Sequence, residues 1–193
     1  MLTLLGGGPL HPYGMQRLIK TWGKDEVVNV GQRANLYKTI KRLHEAGLIA
    51  VRQTERAQQY PERTVYELTE EGCRTGLRWL TDMLATPRNE YPEFPAALSF
   101  AMVIPPDQLA GLLARRLAVV EPRLAELRAE LAEHGERTPR IALIETEYAI
   151  AVTEAEARWL GAVIDDLRSG RLAWDREQLA AQAAESIAAS GGI

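Results

Sequence analysis

Between Leu36 and Leu68 the spacing of apolar residues changes from helical to alternating, and this switch restricts the fold more than any other feature of the chain. Leu36, Ile40 and Leu43 recur at i, i+4 and i+7, one stripe of a helix, and Gly47 stands where a left-handed cap would end it. Leu48 and Ile49 then open a new element. Ala50–Glu55 and Thr64–Leu68 are rich in β-formers and flank the polar stretch Arg56–Arg63, whose Pro61 suits a hairpin tip. Upstream, Pro12–Trp22 offers Tyr13, Leu18, Ile19 and Trp22 as the apolar side of a short helix. Helices followed by a strand, a basic loop and a second strand make up a winged helix-turn-helix.

Downstream the pattern is helical. Thr69 suits an N-cap, and Glu70 and Glu71 suit the first turn of a helix reaching about Ala85. Pro87, Pro92, Pro95, Pro105 and Pro106 then crowd into 86–106, read as a linker. From Asp107 to Glu133 the residues Leu109, Leu113, Leu117, Val120, Leu124, Leu127 and Leu131 approach a heptad seam, with a kink or break expected at Pro122. A second long helix is expected from Pro139 to Leu167, with Ile141, Ile144, Tyr148, Ala151, Ala155, Trp159, Val163 and Leu167 on one side and Gly170 closing it. The two would form a helical hairpin through His134–Thr138, and so small a core calls for pairing with a second chain. The alanine-rich tail from Asp175 is expected to be helical to about Ala189, with a disordered end. The expected fold class is mainly α with a small β-hairpin. A winged-helix DNA-binding domain would occupy 1–85, a linker 86–106 and a helical dimerisation and effector domain 107–189.

Charge is divided along the chain. The net charge is −3, yet Met1–Leu80 holds 12 Lys and Arg against 8 Asp and Glu, net +4, and the remainder 11 against 18, net −7. A polyanion is attracted to the first part and repelled by the second. If Leu36, Ile40 and Leu43 face the core, then Ala34, Lys38, Lys41 and Glu45 face outward. Asn35, Arg42 and Tyr37 flank them, and Gln32 and Arg33 form the first turn. Arg can bridge guanine, Asn and Gln can bridge adenine, and Lys neutralises phosphate. At the hairpin tip Arg56, Gln58 and Arg63 suit phosphate and minor-groove contact.

Other chemistries lack their residues. His11, His44 and His134 are scattered, there is no phosphate-binding loop and no metal-binding pair, and His11 reads as a core or turn residue. Glu145, Glu147, Asp165 and Asp166 read as helix surface, and Cys73 is the single cysteine. No enzyme activity, cofactor or metal is therefore expected. No apolar run is long enough to span a bilayer and the opening residues carry no export signal, so a cytoplasmic location is expected. Leu113, Leu117, Val120, Leu124, Leu127, Leu131 and Tyr148 are the candidate dimerisation residues, and Trp159 and Trp174 the candidates to line a pocket for a flat ligand. The competing reading is a winged-helix protein-interaction or sensor module without sequence-specific DNA binding. It predicts no salt-dependent affinity for DNA.

Several blocks of sequence resemble the PadR family of bacterial transcriptional regulators. Gly8-Pro9-Leu10-His11-Pro12-Tyr13 is similar to the family's opening motif. Gly31-Gln32 with Leu36-Tyr37, Ile40, Arg42-Leu43 and Gly47-Leu48-Ile49 is similar to its recognition-helix block, and Tyr66-Glu67-Leu68-Thr69-Glu70-Glu71-Gly72 to the close of its wing. Pro92-Glu93-Phe94, Glu145–Tyr148 and Asp166–Gly170 resemble the larger-tailed members. The resemblance implies a cytoplasmic repressor that binds a pseudo-palindromic operator as a two-fold homodimer paired through its C-terminal helices. It also implies release by a small aromatic or drug-like ligand near the dimer interface. By position, Tyr37, Lys38, Lys41 and Arg42 would serve the recognition helix, and Arg56 and Arg63 the wing. The chain departs from the family in a stunted first helix and in Arg33-Ala34-Asn35 at the start of the recognition helix, so the operator sequence cannot be carried over.

Overall fold

The computed structural model describes residues 1–24, 33–55, 63–135 and 137–175, together with Leu179 and Glu185. The chain divides into two compact units, residues 1–89 and 90–193. The first contains α1 (Leu2–Leu5), α2 (Pro12–Thr21), α3 (Arg33–Glu45), β1 (Ile49–Glu55), β2 (Arg63–Leu68) and α4 (Glu70–Ala85). The second contains α5 (Glu93–Leu98), α6 (Pro106–His134) and α7 (Ile144–Arg168), with 3-10 turns at Ala101–Val103 and Arg140–Ala142.

Local chemistry starts and stops the elements of the first unit. The Nδ1 of His11 accepts the Gly14 N–H at 2.7 Å and caps α2, and Pro12 takes the first helical position, where its missing N–H costs nothing. Helix α3 ends in a Schellman motif. The Gly47 N–H donates to the His44 carbonyl at 2.9 Å and the Leu48 N–H to the Leu43 carbonyl at 3.0 Å, while Gly47 takes φ +69°, a conformation that a side chain would strain. The hydroxyl of Thr69 accepts the Gly72 N–H at 2.9 Å to cap α4 and donates to the Gly47 carbonyl at 2.8 Å, joining the two helix ends.

The core of this unit collects Leu2, Leu5, Met15, Leu36, Ile40, Leu43, Leu48 and Ile49, with Leu10, Tyr66 and Leu68 packed against it. Each fully buried aliphatic side chain contributes about 1.5–3 kcal/mol. Short as it is, α1 buries both Leu2 and Leu5. On α2 the buried face is Met15 and Ile19. The expected Tyr13 and Trp22 are exposed at 60% and 54%, because the helix is turned so that its unbranched Met fills the core. Strands β1 and β2 pair antiparallel from Ile49↔Leu68 to Glu55↔Arg63, with a bulge between Val51 and Gln53. Leu10 extends the sheet through two 2.9 Å backbone bonds with Tyr66.

The second unit is built on α6 packed against α7. Leu109, Ala110 and Leu113 pack with Leu160, Ile164 and Leu167, and Phe94, Leu98, Ala101, Ile104, Leu117, Val120 and Trp174 lie around them. The proline-rich stretch 86–106 is therefore more than a linker. Its second half forms α5 and a 3-10 turn whose apolar residues join this core. Helix α6 continues through Pro122 without a break. Pro122 and Ala118, whose carbonyl loses its N–H partner, are both exposed, so water can take the forgone bond. Helix α7 starts at Ile144 rather than Pro139, because Pro139 opens a tighter 3-10 turn through Arg140–Ala142. The alanine-rich tail lies almost wholly outside the described residues. Among the described residues no helix is long and apolar enough to cross a membrane.

Candidate nucleic-acid interface

Helix α3 is oriented by three side chains. Leu36, Ile40 and Leu43 are buried, which turns Ala34, Asn35, Tyr37, Lys38, Lys41, Arg42 and Glu45 outward, all of them exposed. Lys41 lies 3.7 Å from Glu45 one turn on, an exposed pair that competes weakly for the ammonium. Lys38 and Arg42 have no ion pair or hydrogen bond among the described residues. Their charges are free for an incoming anion.

The hairpin follows α3 directly because Leu48 and Ile49 leave the Schellman turn straight into β1. Arg52 sits at the bulge, 3.5 Å from Glu67 on β2, so it is held along the sheet. His44 meets the Tyr66 ring edge-on at 6.1 Å and ties the last turn of α3 to β2. A Cβ on Gly72 would lie 1.9 Å from the Leu48 carbonyl oxygen, so the first turn of α4 approaches the residue just before β1 to backbone distance. The Leu-Thr-x-x-Gly sequence Leu68–Gly72 thus combines a cap with an intimate contact. Glu71 accepts hydrogen bonds from Arg74 and Thr75, which hold its carboxyl below the usual carboxylate range.

Of the predicted nucleic-acid contacts, the structure brings Asn35, Tyr37, Lys38, Lys41 and Arg42 onto one exposed helix. Gln32, Arg56 and Gln58 lie outside the described residues. Arg33 opens α3 and Arg63 opens β2 opposite Glu55, but their side chains are also outside the description.

The predicted dimerisation residues divide. Leu113, Leu124 and Leu127 are buried within the chain itself, and Leu117, Val120 and Leu131 are half-buried, so this seam presents little surface to a second chain. Tyr148 is 71% exposed. The two tryptophans also differ. Trp174 donates from Nε1 to the Met102 carbonyl at 2.8 Å and packs on the core, a structural role, whereas Trp159 is 42% exposed and meets Phe94 edge-on at 6.2 Å. The guanidinium of Arg116 stacks 3.6 Å from the Phe94 ring centre while its Nε donates to Glu156 at 2.6 Å.

Residues 1–76 match the family model of the transcriptional regulator PadR-like family. Over those residues the N-terminal unit is similar to the PadR-like regulators. Helix α3, the hairpin strands and the capped first turns of α4 fall within the match, which covers the three N-terminal blocks of resemblance. The fold is shared over a longer span with solved structures. Bacillus subtilis PadR in complex with operator DNA superposes with a TM-score of 0.68 at 18% identity, covering 86% of this chain and 96% of that one. The same protein in complex with p-coumaric acid gives 0.68 at 18%, covering 86% and 95%. The Vibrio cholerae virulence activator AphA gives 0.61 at 17%, covering 87% and 95%. At these identities the likeness establishes the fold. No curated protein is significantly similar to this chain in sequence.

Proposed function

We propose that this PadR-like chain is a cytoplasmic transcriptional regulator that represses by binding a pseudo-palindromic operator as a homodimer. One observation carries the reading. The helix that precedes the hairpin turns Asn35, Tyr37, Lys38 and Arg42 outward, with Lys38 and Arg42 unpaired among the described residues, and leads directly into a wing. Base-edge readout needs such a helix in the major groove, and the wing, with Arg56, Gln58 and Arg63, would reach the neighbouring backbone. The operator complex of Bacillus subtilis PadR supports the comparison.

The surface of α7 supports the homodimer. Ile144, Tyr148, Val152 and Trp159 form an exposed apolar stripe on a face separate from the buried Leu160, Ile164 and Leu167, and pairing with a second copy removes that stripe from water. Release by a small aromatic ligand is the regulatory part of the proposal. The part-exposed Trp159 ring, braced edge-on by Phe94, supplies a flat platform for it, and the p-coumaric acid complex of the Bacillus protein is the precedent.

The test is a binding titration of the purified chain against a duplex containing its own upstream region, at low and moderate salt. Wild-type protein binds and loses affinity steeply as salt rises. Lys38→Ala/Arg42→Ala weakens binding by roughly tenfold or more, since a good base-edge interaction is worth about 1–3 kcal/mol. Flat, salt-independent behaviour would instead fit a protein-interaction module. Sedimentation at micromolar concentration gives a dimer, and Tyr148→Arg shifts it toward monomer.

A further inference from the structure

Helix α2 does more than close the core, because its outward face carries charge of a single sign. Tyr13, Arg17 and Lys20 recur at i, i+4 and i+7, opposite the buried Met15 and Ile19, and at 100° per residue they fall within roughly 60° of arc. All three are exposed, and Pro12–Thr21 contains no Asp or Glu. Tyr13 closes the Gly8–Tyr13 block. Its ring lies in solvent, stacked on His11 at 6.1 Å and 27°, so core packing does not account for an aromatic residue there.

The second observation concerns which cations of the first unit are already engaged. Lys41, Arg52, Arg74 and Arg88 have carboxylate partners, and Arg78 bonds to Thr75. Arg17, Lys20, Lys38 and Arg42 have no ion pair or hydrogen bond among the described residues. These four belong to two helices only, α2 and α3, which pack against each other. Among the described residues of the first unit, cations without a partner are therefore concentrated on one helix pair.

We infer that Tyr13, Arg17 and Lys20 form a backbone-binding stripe that accepts DNA phosphates beside the groove read by α3. This rests on the DNA-binding reading above. In a helix-turn-helix the first helix crosses the sugar-phosphate backbone while the second enters the groove. Two cations and a phenol fit that position, because Arg and Lys neutralise phosphate and a Tyr hydroxyl donates to a phosphate oxygen. The stripe fixes where the protein sits and reads no sequence. Lys20 in the last turn of α2 also complements the helix dipole, but that role is internal and leaves the response to salt unchanged.

The experiment compares wild-type protein with Arg17→Ala/Lys20→Ala on two duplexes, one containing the upstream region and one of scrambled sequence, across a salt series. The slope of log affinity against log salt becomes shallower by about 1.8, so a fourfold rise in salt costs the variant roughly tenfold less affinity. The loss is the same factor on both duplexes, and Arg17→Lys/Lys20→Arg restores the wild-type slope. Both residues are exposed, so the thermal transition stays in place and a folding defect is excluded by circular dichroism. An unchanged slope in the folded double variant overturns the stripe while leaving DNA binding intact, as does a loss confined to the upstream duplex. Wild-type protein that ignores both duplexes overturns the DNA-binding reading and the stripe with it.

Discussion

Among the described residues, ion pairs join two helices in the second unit and lie within a helix, at its end or along the sheet in the first. In residues 90–193, Arg116 pairs with Glu156 and Arg128 with Glu154, both across the α6–α7 hairpin, and Arg140 holds Glu147 and Arg171 holds Asp166. The two cross-hairpin pairs help fix how the antiparallel helices register. In residues 1–89 the cations of α2 and α3 that lack a partner stand exposed, and the element ends are fixed by uncharged devices: the His11 cap, the Gly47 Schellman turn, the Thr69 cap and the Gly72 contact. A surface that meets a polyanion needs free charge, and where α2 and α3 leave Arg17, Lys20, Lys38 and Arg42 unpaired among the described residues, the ends of the elements are held by backbone geometry and burial.

That contrast can be broken or sharpened in steps. The largest effect expected is from Gly72→Ala. The new methyl must displace the Leu48 carbonyl or shift α4, which costs about 3 kcal/mol or more and lowers the first unit's melting temperature. A melting curve identical to wild type would show that the close approach is not essential. Leu160→Ala tests the other unit. Truncating its fully buried side chain costs about 2–5 kcal/mol in denaturant unfolding, and the loss falls on the α6–α7 hairpin. Thr69→Ala removes one cap and costs about 1 kcal/mol. Arg128→Ala, at an exposed pair, changes stability by about 0.5 kcal/mol or less, and a larger loss would give the cross-hairpin ion pairs more weight than they hold here.

The smallest effect is electrostatic. Arg140 hydrogen-bonds Glu147 and holds its carboxyl below the usual range. A depressed folded-state value means that the pair contributes above the ordinary Glu pKa and that the contribution is lost as pH falls through the folded value. The carboxylate is solvent-exposed, so the effect on stability is slight. It is best seen as an NMR titration midpoint that moves up to the ordinary Glu value in Arg140→Ala.

Much of the fold is legible in the sequence because its signals are local. Leu36, Ile40 and Leu43 orient α3, Gly47 ends it, and Thr69 begins α4, each through a rule that involves a few neighbouring residues. The outward set on α3 follows from the same periodicity. The burial of α2 is not legible in this way, because Tyr13, Met15, Ile19 and Trp22 are all apolar enough for a core, and only the packing partner selects Met15 and Ile19. The stripe Tyr13-Arg17-Lys20 does have a signal, an acid-free helix with cations at i+4 and i+7. Assigning Tyr13 to the core hides it.

The leucine repeat from Leu109 to Leu131 shows the same division. By itself the sequence determined that α6 has an apolar seam, that a helical hairpin follows the winged helix, and which α3 residues face away from its core. All of these depend on spacing along one chain. Only the tertiary structure decided that Leu113, Leu124 and Leu127 are buried by this chain itself, that Phe94 and Trp174 join the second core, and that α6 continues through Pro122. The reason is physical: periodicity fixes the side of a helix that must leave water, but a hydrophobic face carries no label for its partner, and many surfaces can satisfy it.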